Sequence, residues 1–167
     1  IRRFAGEGRS GWLSYSYARS RRANDITGEG YDFAGDQPHT LTLVWSQPLP
    51  WQHWRWGIRA QAASGRPYTP VIGRTEHTQD DGSVRYRPVY GDPYSERLPT
   101  YFRTDLRIDR TFLFERWRMS LYVDIHNVTF QRNVSGYDYG RRYERHDNPR
   151  EVRGMPFMPF FGIEATF

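Results

Sequence analysis

The sequence predicts an all-β fold of antiparallel strands, and three observations support that prediction. Apolar and polar residues alternate over six runs of about ten residues each. The connections between the runs are alternately short and long. The six tryptophans all lie close to short connections. Apolar residues do not recur at helical spacing over any long window, so a helical fold is not indicated.

The alternating runs span residues 11–20, 39–47, 54–64, 101–112, 117–128 and 155–167. The run at 101–112 is the sharpest, because Phe102, Leu106 and Ile108 share one face. Charged residues that alternate in sign share the other face, namely Arg103, Asp105, Arg107 and Asp109. A length of about ten residues exceeds the usual strand of about five or six residues. It matches the roughly 9–11 residues with which a tilted strand crosses a bilayer.

The composition agrees with a structured chain and excludes several kinds of chemistry. Aromatic residues make up 17% of the 167 residues, whereas disordered chains contain few of them. Cysteine does not occur, which excludes disulfides, thiolate catalysis and cysteine-type zinc sites. The net charge is +5 and all 24 basic residues are arginine, whose planar fork suits carboxylate and phosphate groups. No apolar run approaches the ~18 residues of a transmembrane helix.

The connections sort by length in the manner of membrane β-barrels. Residues 48–53 and 113–116 form short connections, whereas 21–38, 65–100 and 129–154 are long and rich in polar residues, glycine and proline. Membrane barrels have tight periplasmic turns and long extracellular loops. Tryptophan prefers the membrane–water interface, so the sequence predicts a girdle at the rim of the short turns. Its members are Trp12, Trp45, Trp54, Trp56 and Trp117.

In a membrane barrel the apolar face contacts lipid and the polar face lines the lumen. The predicted lumen-facing residues are Arg103, Asp105, Arg107, Asp109, Asp124, His126 and Glu164. In a soluble sandwich the apolar face would instead form the core and the polar face would be on the outside. Alternation alone does not distinguish the two folds. Six strands are too few to close a barrel, since even small membrane barrels use eight. The chain also begins within a strand at residues 1–4, so we expect a carboxy-terminal piece of a larger barrel.

Several segments resemble the last strands of TonB-dependent outer-membrane receptors. They are "GWLSYSYARSR", "PHTLTLVWSQPLP", "ASGRPYTPV", "VYGDPYSERLPTYFRTDLRIDRTF", "LYVDIHNVTFQRNV" and "PFFGIEATF", and the similarity extends from about Gly11 to Phe167. The resemblance implies an antiparallel up-and-down transmembrane barrel of 22 strands with an amino-terminal plug. By that comparison this chain supplies about six of the strands, and the plug lies outside it.

The resemblance also implies a function and a location. It indicates an active-transport receptor of the bacterial outer membrane, energised by the TonB complex, that takes up a scarce siderophore–iron, cobalamin or glycan ligand. The implied partners are the rest of the barrel, its plug, the barrel-assembly machinery, outer-membrane lipid and lipopolysaccharide. The carboxy terminus would be periplasmic. The alternate residues Phe161, Ile163, Ala165 and Phe167 resemble the signal that the assembly machinery reads.

Candidate sites lie in the long loops rather than in a catalytic constellation. None of the five histidines is paired with another at metal-ligand spacing, so we predict no enzyme activity, no cofactor and no metal site. Interleaved arginine and tyrosine can hold an anionic or aromatic ligand by forked hydrogen bonds and stacking. The predicted ligand-binding residues are Arg66, Tyr68, Arg141, Arg142, Tyr143 and Arg145.

Two alternatives remain open at the level of sequence. A different outer-membrane barrel, such as a passive channel, shares every argument from the strands and differs in lacking the plug. A soluble all-β domain would use the basic and aromatic surface to bind an anionic ligand or single-stranded nucleic acid. The receptor hypothesis involves no nucleic acid.

Overall fold

The structure is a computed structural model that describes residues 1–6, 8–23, 25–26 and 28–167. These residues form strands, turns and irregular segments. The described ranges contain no helix, and therefore none with the length and hydropathy needed to span a membrane. The prediction of an all-β fold is confirmed.

Fifteen strands are present in the described residues. They are β1 (Arg2–Gly6), β2 (Arg9–Tyr17), β3 (Arg21–Ala23), β4 (Gly30–Asp32), β5 (His39–Pro48), β6 (Trp54–Ala63), β7 (Pro67–Tyr68), β8 (Val71–Thr78), β9 (Val84–Tyr90), β10 (Glu96–Arg97), β11 (Tyr101–Leu113), β12 (Arg118–His126), β13 (Val134–Asp138), β14 (Arg150–Arg153) and β15 (Met158–Thr166).

Seven of these strands form one antiparallel sheet in the order β1-β2-β5-β6-β11-β12-β15. Within this sheet, each strand pairs with the sheet strand that follows it along the chain, which makes the sheet a meander. The sheet is open, with β1 and β15 at its two edges. Six strands of this sheet, namely β2, β5, β6, β11, β12 and β15, coincide with the six alternating runs. Each begins and ends within three residues of the predicted bounds. The first strand, β1, overlaps the segment 1–4 at the start of the chain.

The meander places the short connections at one end of the sheet and the long ones at the other. Residues 49–53 join β5 to β6, and 114–117 join β11 to β12. At the opposite end, 18–38, 64–100 and 127–157 make the longer excursions. An antiparallel meander separates the two sets of connections in this way because successive strands reverse direction.

The three long connections contain further strands, which the sequence did not predict. They contain four two-stranded sheets, formed by β3 with β4, β7 with β10, β8 with β9 and β13 with β14. Hydrophobic alternation did not reveal them because these strands have little or no buried face. In β8, for example, Glu76 and Thr78 are exposed like most of their neighbours, and Ile72 is 59% exposed.

The register gives the main sheet one apolar and one polar face. Leu43 lies opposite Leu13 on β2 and Ala60 on β6, and the same face continues to β15. The neighbouring residue Thr42 lies on the other face, opposite Ser14 and Gln61. Because side chains alternate along a strand, this division holds across the sheet.

No second layer of the described chain covers the apolar face. Tyr15 is 58% exposed and Phe161 is 78% exposed on that face. The buried apolar residues among those described are Ala63, Val71 and Leu98, which lie near the bases of the long connections. The tightest packing is therefore at the end of the sheet that carries the long connections.

Candidate functional site

The polar face of the sheet carries a chain of ion pairs centred on Arg107. Its guanidinium Nη1 donates to Asp124 Oδ2 at 3.0 Å, and its Nε lies 3.8 Å from Asp109 Oδ1. The same guanidinium carbon lies 3.9 Å from the centre of the Tyr122 ring. Nearer the start of β11, Arg103 Nε donates to Asp105 Oδ1 at 2.6 Å. Charges of both signs are thus paired on this face rather than left to repel one another.

All seven residues predicted to face a lumen lie on this polar face. They are Arg103, Asp105, Arg107, Asp109, Asp124, His126 and Glu164. A depression of about 320 Å³ is lined by five of these residues, by Arg59 and by apolar residues such as Val44, Ile58 and Leu106. The buried Nδ1 of His126 has no hydrogen-bond partner among the described residues, and the ring packs against Phe160 with centroids 4.8 Å apart.

These side chains do not form a metal centre. No group of three or more histidine, aspartate or glutamate residues in the described ranges is arranged to hold a metal ion. The carboxylates of Asp105 and Asp124 are instead occupied by arginine partners. The arrangement suits a water-filled, charge-balanced surface.

The predicted tryptophan girdle divides between the two faces. Register places Trp45 and Trp56 on the apolar face, opposite Ile58 and Ile108 respectively. Trp12 lies on the polar face, opposite Val44, because its position in β2 has the same parity as Ser14 and not Leu13. Trp12 therefore lies on the opposite face of the sheet from Trp45 and Trp56.

Arg110 of β11 is a charged residue that lies on the apolar face, and the sequence did not predict it there. Arg110 is paired in register with Trp54 near the short connections. Its guanidinium carbon lies 5.5 Å from the centre of the Trp54 ring and 4.7 Å from that of Phe112. A long side chain close to the end of a strand can hold its charge over aromatic faces in this way.

The tail also follows the parity of the sheet. Ile163 pairs with Leu121, and Phe161 and Ala165 lie on the same apolar face. Beyond the end of β15, Phe167 stacks on Trp117 with ring centroids 5.9 Å apart. Trp117 in turn stacks on Phe114 at 4.2 Å. The three rings form an aromatic group at the end with the short connections.

Among the predicted ligand residues, Arg66 and Tyr68 share one pocket. It has a volume of about 350 Å³ and includes Tyr137 and Tyr139 from the third long connection. The Tyr68 and Tyr137 rings lie 5.1 Å apart. Burial, reinforced by the neighbouring tyrosines, raises the pKa of Tyr68 to about 12. Its phenol therefore stays neutral and can donate a hydrogen bond at any physiological pH.

The predicted arginine cluster lines a different pocket. Arg141, Arg142 and Arg145 surround a space of about 630 Å³, together with Arg74 and Tyr86 of the β8–β9 hairpin. Tyr143 is not one of the residues that line it. The structure thus brings three of the four predicted residues of this turn together and keeps them apart from the pocket of Arg66 and Tyr68.

A buried polar cluster that the sequence did not indicate joins the first two long connections. Arg97 Nη2 donates to Asp32 Oδ2 at 2.5 Å and to Asp36 Oδ2 at 2.6 Å. Arg97 Nη1 donates to the carbonyl oxygens of Asp36 and Gly65, each at 3.1 Å. The backbone N–H of Ser20 donates to the second oxygen of the Asp36 carboxylate at 2.6 Å. We refer to these contacts as the Asp32–Arg97–Asp36 cluster.

Hydrogen bonds favour the ionised form of the Asp36 carboxyl. The hydrogen bond from Arg97 holds the pKa of the Asp36 carboxyl below its usual value, and the Ser20 N–H acts in the same direction against the effect of burial. Gly65 permits the close approach on which the cluster depends. A Cβ atom at this position would lie 1.6 Å from the carbonyl oxygen of Leu98.

Two buried asparagines fix the third long connection to the sheet. Asn133 donates through Nδ2 to the carbonyl of Phe102 at 2.7 Å and accepts from the N–H of Phe102 through Oδ1 at 2.9 Å. Asn127, which is 1% exposed, donates through Nδ2 to the carbonyls of Gln131 and Met155. Both residues belong to the segment "NVTFQRNV", and their side chains act as backbone substitutes.

Comparisons with known protein families, with curated proteins and with solved structures find no match for this chain.

Proposed function

We propose that the chain forms part of the wall of an outer-membrane β-barrel, and that the intact protein is a TonB-dependent receptor that imports a scarce ligand. The observation that carries the proposal is the division of a seven-stranded meander into one apolar and one charged face. Lipid would cover the apolar face, and water would cover the charged one.

The exposure of the apolar face supports a membrane in preference to a soluble sandwich. A sandwich buries its apolar face against a second sheet about 10 Å away. Ile163 is 71% exposed, Leu41 42% and Phe102 39%, and the described chain offers no layer to cover them. Closed barrels are the β-structures that satisfy every backbone group within a bilayer.

The long connections support a receptor in preference to a simple wall. They carry two polar pockets, one with Arg66 and Tyr68 and one with the arginines of the 138–145 turn. The Asp32–Arg97–Asp36 cluster and Asn133 hold the connections against the end of the sheet. Fixed loops with convergent polar groups are suited to recognising a ligand before transport.

The first test asks whether the protein is a membrane barrel. The full gene product would be expressed in a diderm bacterium, extracted in mild detergent and run on a gel with and without boiling. We expect it in the outer-membrane fraction and expect faster migration without boiling, as for a folded barrel. Soluble protein that folds without detergent would contradict the proposal.

A matched pair of variants tests which face contacts lipid. Leu43→Arg places a charge on the apolar face, and Thr42→Arg places the same charge one residue away on the polar face. A lipid-facing arginine near the bilayer midplane costs about 2–4 kcal/mol, whereas a lumen-facing one costs little. We expect Leu43→Arg to reduce the amount of folded barrel and Thr42→Arg to leave it unchanged. Equal effects would refute the assignment of the faces.

A separate measurement distinguishes an energised receptor from a passive channel. Ligand-dependent growth or uptake by cells that carry the full gene would be compared with and without a functional TonB complex. Uptake that stops without TonB supports the receptor. Uptake that continues unchanged identifies a channel.

A further inference from the structure

Two arginines from distant parts of the chain converge on one tyrosine ring in the second and third long connections. The guanidinium carbon of Arg74, on β8, lies 4.8 Å from the centre of the Tyr86 ring on β9. That of Arg142, on the 138–145 turn, lies 5.6 Å from the same ring. Arg74 Nη1 also donates to the carbonyl oxygen of Arg142 at 3.2 Å, across a separation of 68 residues. The ring holds two like charges close together.

The pocket around these two side chains has an excess of positive charge. Its lining includes four guanidinium groups, from Arg74, Arg141, Arg142 and Arg145, and two carboxylates, from Asp138 and Glu144. Four positive and two negative charges leave a formal excess of two. Glu76 adds an exposed pair to Arg74 at the longer distance of 3.9 Å.

The two carboxylates of the pocket serve the turn itself. Asp138 Oδ1 accepts the N–H of Gly140 at 2.9 Å, and Glu144 Oε2 accepts the N–H of Arg142 at 3.0 Å. The N–H groups of Glu144 itself and Arg142 keep the pKa of the Glu144 carboxyl below its usual value, so that it remains ionised. These bonds shape the backbone, and among the described residues the lining keeps more guanidinium groups than carboxylates.

The backbone of the turn is constrained, which fixes the positions of the Cα atoms that carry the arginine side chains. Gly140 has a φ of 84°, and a Cβ atom there would lie within 3 Å of the Glu144 carboxylate. The N–H of Arg145 donates to the carbonyl of Tyr139 at 3.1 Å. A constrained turn loses less conformational freedom when a ligand binds, which raises affinity.

We infer that this pocket binds a multivalent oxyanion, that is, a phosphate- or carboxylate-bearing group with about two or more negative charges. Guanidinium forks match the geometry of both groups, and an anion between Arg74 and Arg142 would relieve their repulsion. The volume of about 630 Å³ accommodates a group the size of pyrophosphate or citrate. An apolar ligand is disfavoured, since six of the eight residues in the lining carry charged side chains. The inference concerns binding alone and does not depend on the proposed transport function.

The test uses the full gene product in detergent and measures binding of pyrophosphate, citrate and acetate by calorimetry. The variant Arg74→Gln/Arg142→Gln removes two charges from the pocket. The matched control Arg85→Gln/Arg87→Gln removes two charges from β9 at residues outside that lining. Circular dichroism confirms that each variant is folded.

We expect the wild-type protein and the control to bind pyrophosphate or citrate and to bind acetate far more weakly. The pocket variant should lose at least about tenfold in affinity, since a hydrogen bond to a charged group contributes about 1.5–3 kcal/mol. Tyr86→Leu keeps every charge and should lower affinity about two- to fivefold through loss of the aromatic platform. Absence of binding at millimolar concentration, or an equal loss in the pocket variant and the control, would overturn the inference.

Two further arms separate the possible sources of the anion. The protein is reconstituted into vesicles of phosphatidylethanolamine alone or of phosphatidylethanolamine with lipopolysaccharide. If lipopolysaccharide prevents pyrophosphate binding in the wild type, the occupant is a lipid-borne phosphate. If pyrophosphate binds equally in both vesicles, the occupant is a free ligand. Either result supports an oxyanion site, and loss of binding in both vesicles opposes it.

Discussion

Arg97 and Asp36 form an ion pair with Nη2 and Oδ2 2.6 Å apart, although each lies in a connection between strands of the main sheet. The Asp36 side chain is only 1% exposed, and that of Arg97 is 32% exposed. The same guanidinium reaches Asp32 and the backbone of Gly65. One arginine of the second long connection therefore satisfies a buried carboxylate of the first, and the two connections are held together.

Removing this arginine should release the first two long connections. Arg97→Gln leaves the buried carboxylate of Asp36 without its cation, and breaking a buried pair costs about 3–5 kcal/mol. We expect the equilibrium for local opening to rise roughly a hundred- to a few thousandfold, since every ~1.4 kcal/mol is a factor of ten. Limited proteolysis of the full protein in detergent should then cut within 21–38 or 65–100. Arg21→Gln is the control, since Arg21 pairs with Asp32 at 3.7 Å and its side chain is 64% exposed. An exposed pair contributes about 0–1 kcal/mol, so the control should resist proteolysis like the wild type.

Acid should loosen the same connections. The folded-state pKa of Asp36 lies below the ordinary value of 3.8, chiefly because of the Arg97 hydrogen bond. A depressed carboxyl pKa stabilises the folded state above the ordinary value, and the stabilisation is lost as pH falls through the folded pKa. Proteolysis within the two connections, measured with an acid protease, should therefore increase below about pH 4. Asp36→Asn removes the titrating group, and a pH dependence identical to that of the wild type would contradict this assignment.

The main sheet could be predicted from the sequence because most of its strands have one apolar and one polar face. Ile108, for example, lies between Arg107 and Asp109, and that contrast repeats every second position along the run. The strands within the long connections carry no such contrast. Val84 and Val89 in β9 are 47% and 36% exposed. Backbone hydrogen bonds pair β8 with β9, and these bonds leave no alternation of polarity in the sequence.

The candidate sites were predictable in residue type but not in grouping. Interleaved arginine and tyrosine indicated Arg141, Arg142, Tyr143 and Arg145. Nothing local indicates that Arg74 meets Arg142 across 68 residues. The pair of Arg97 and Asp36 spans 61 residues and has no pattern in the sequence. Such contacts form because the sheet brings the ends of its strands together, and the long connections that start there lie close to one another.

The Asn133 side chain should contribute substantially to stability. Pairing of β11 with β12 begins at Leu106, so Phe102 has no partner on that side, and the Asn133 amide takes the place of the missing strand. Asn133→Ala leaves the N–H and C=O of Phe102 unsatisfied, and we expect a loss of about 2–3 kcal/mol in the free energy of unfolding. Denaturant unfolding in detergent measures it. Ser135→Ala, which loses one exposed hydrogen bond to Val152, should change stability by less than about 1 kcal/mol. A loss no larger than that of Ser135→Ala would show that water replaces the amide.

The last residue should matter for assembly in a way that depends on its face. Phe167 continues the alternation of Phe161, Ile163 and Ala165 and stacks on Trp117, whereas Thr166 lies on the polar face opposite Arg118. Under the proposed function, Phe167→Glu places a charge where the assembly machinery and the lipid interface expect an aromatic ring, and the amount of heat-modifiable barrel should fall. Thr166→Glu adds the same charge one residue away, next to an arginine, and should assemble normally. Normal assembly of Phe167→Glu would refute an aromatic signal at this position. Equal impairment of both variants would refute it too, because the two variants add the same charge at adjacent positions and differ only in the face that carries it.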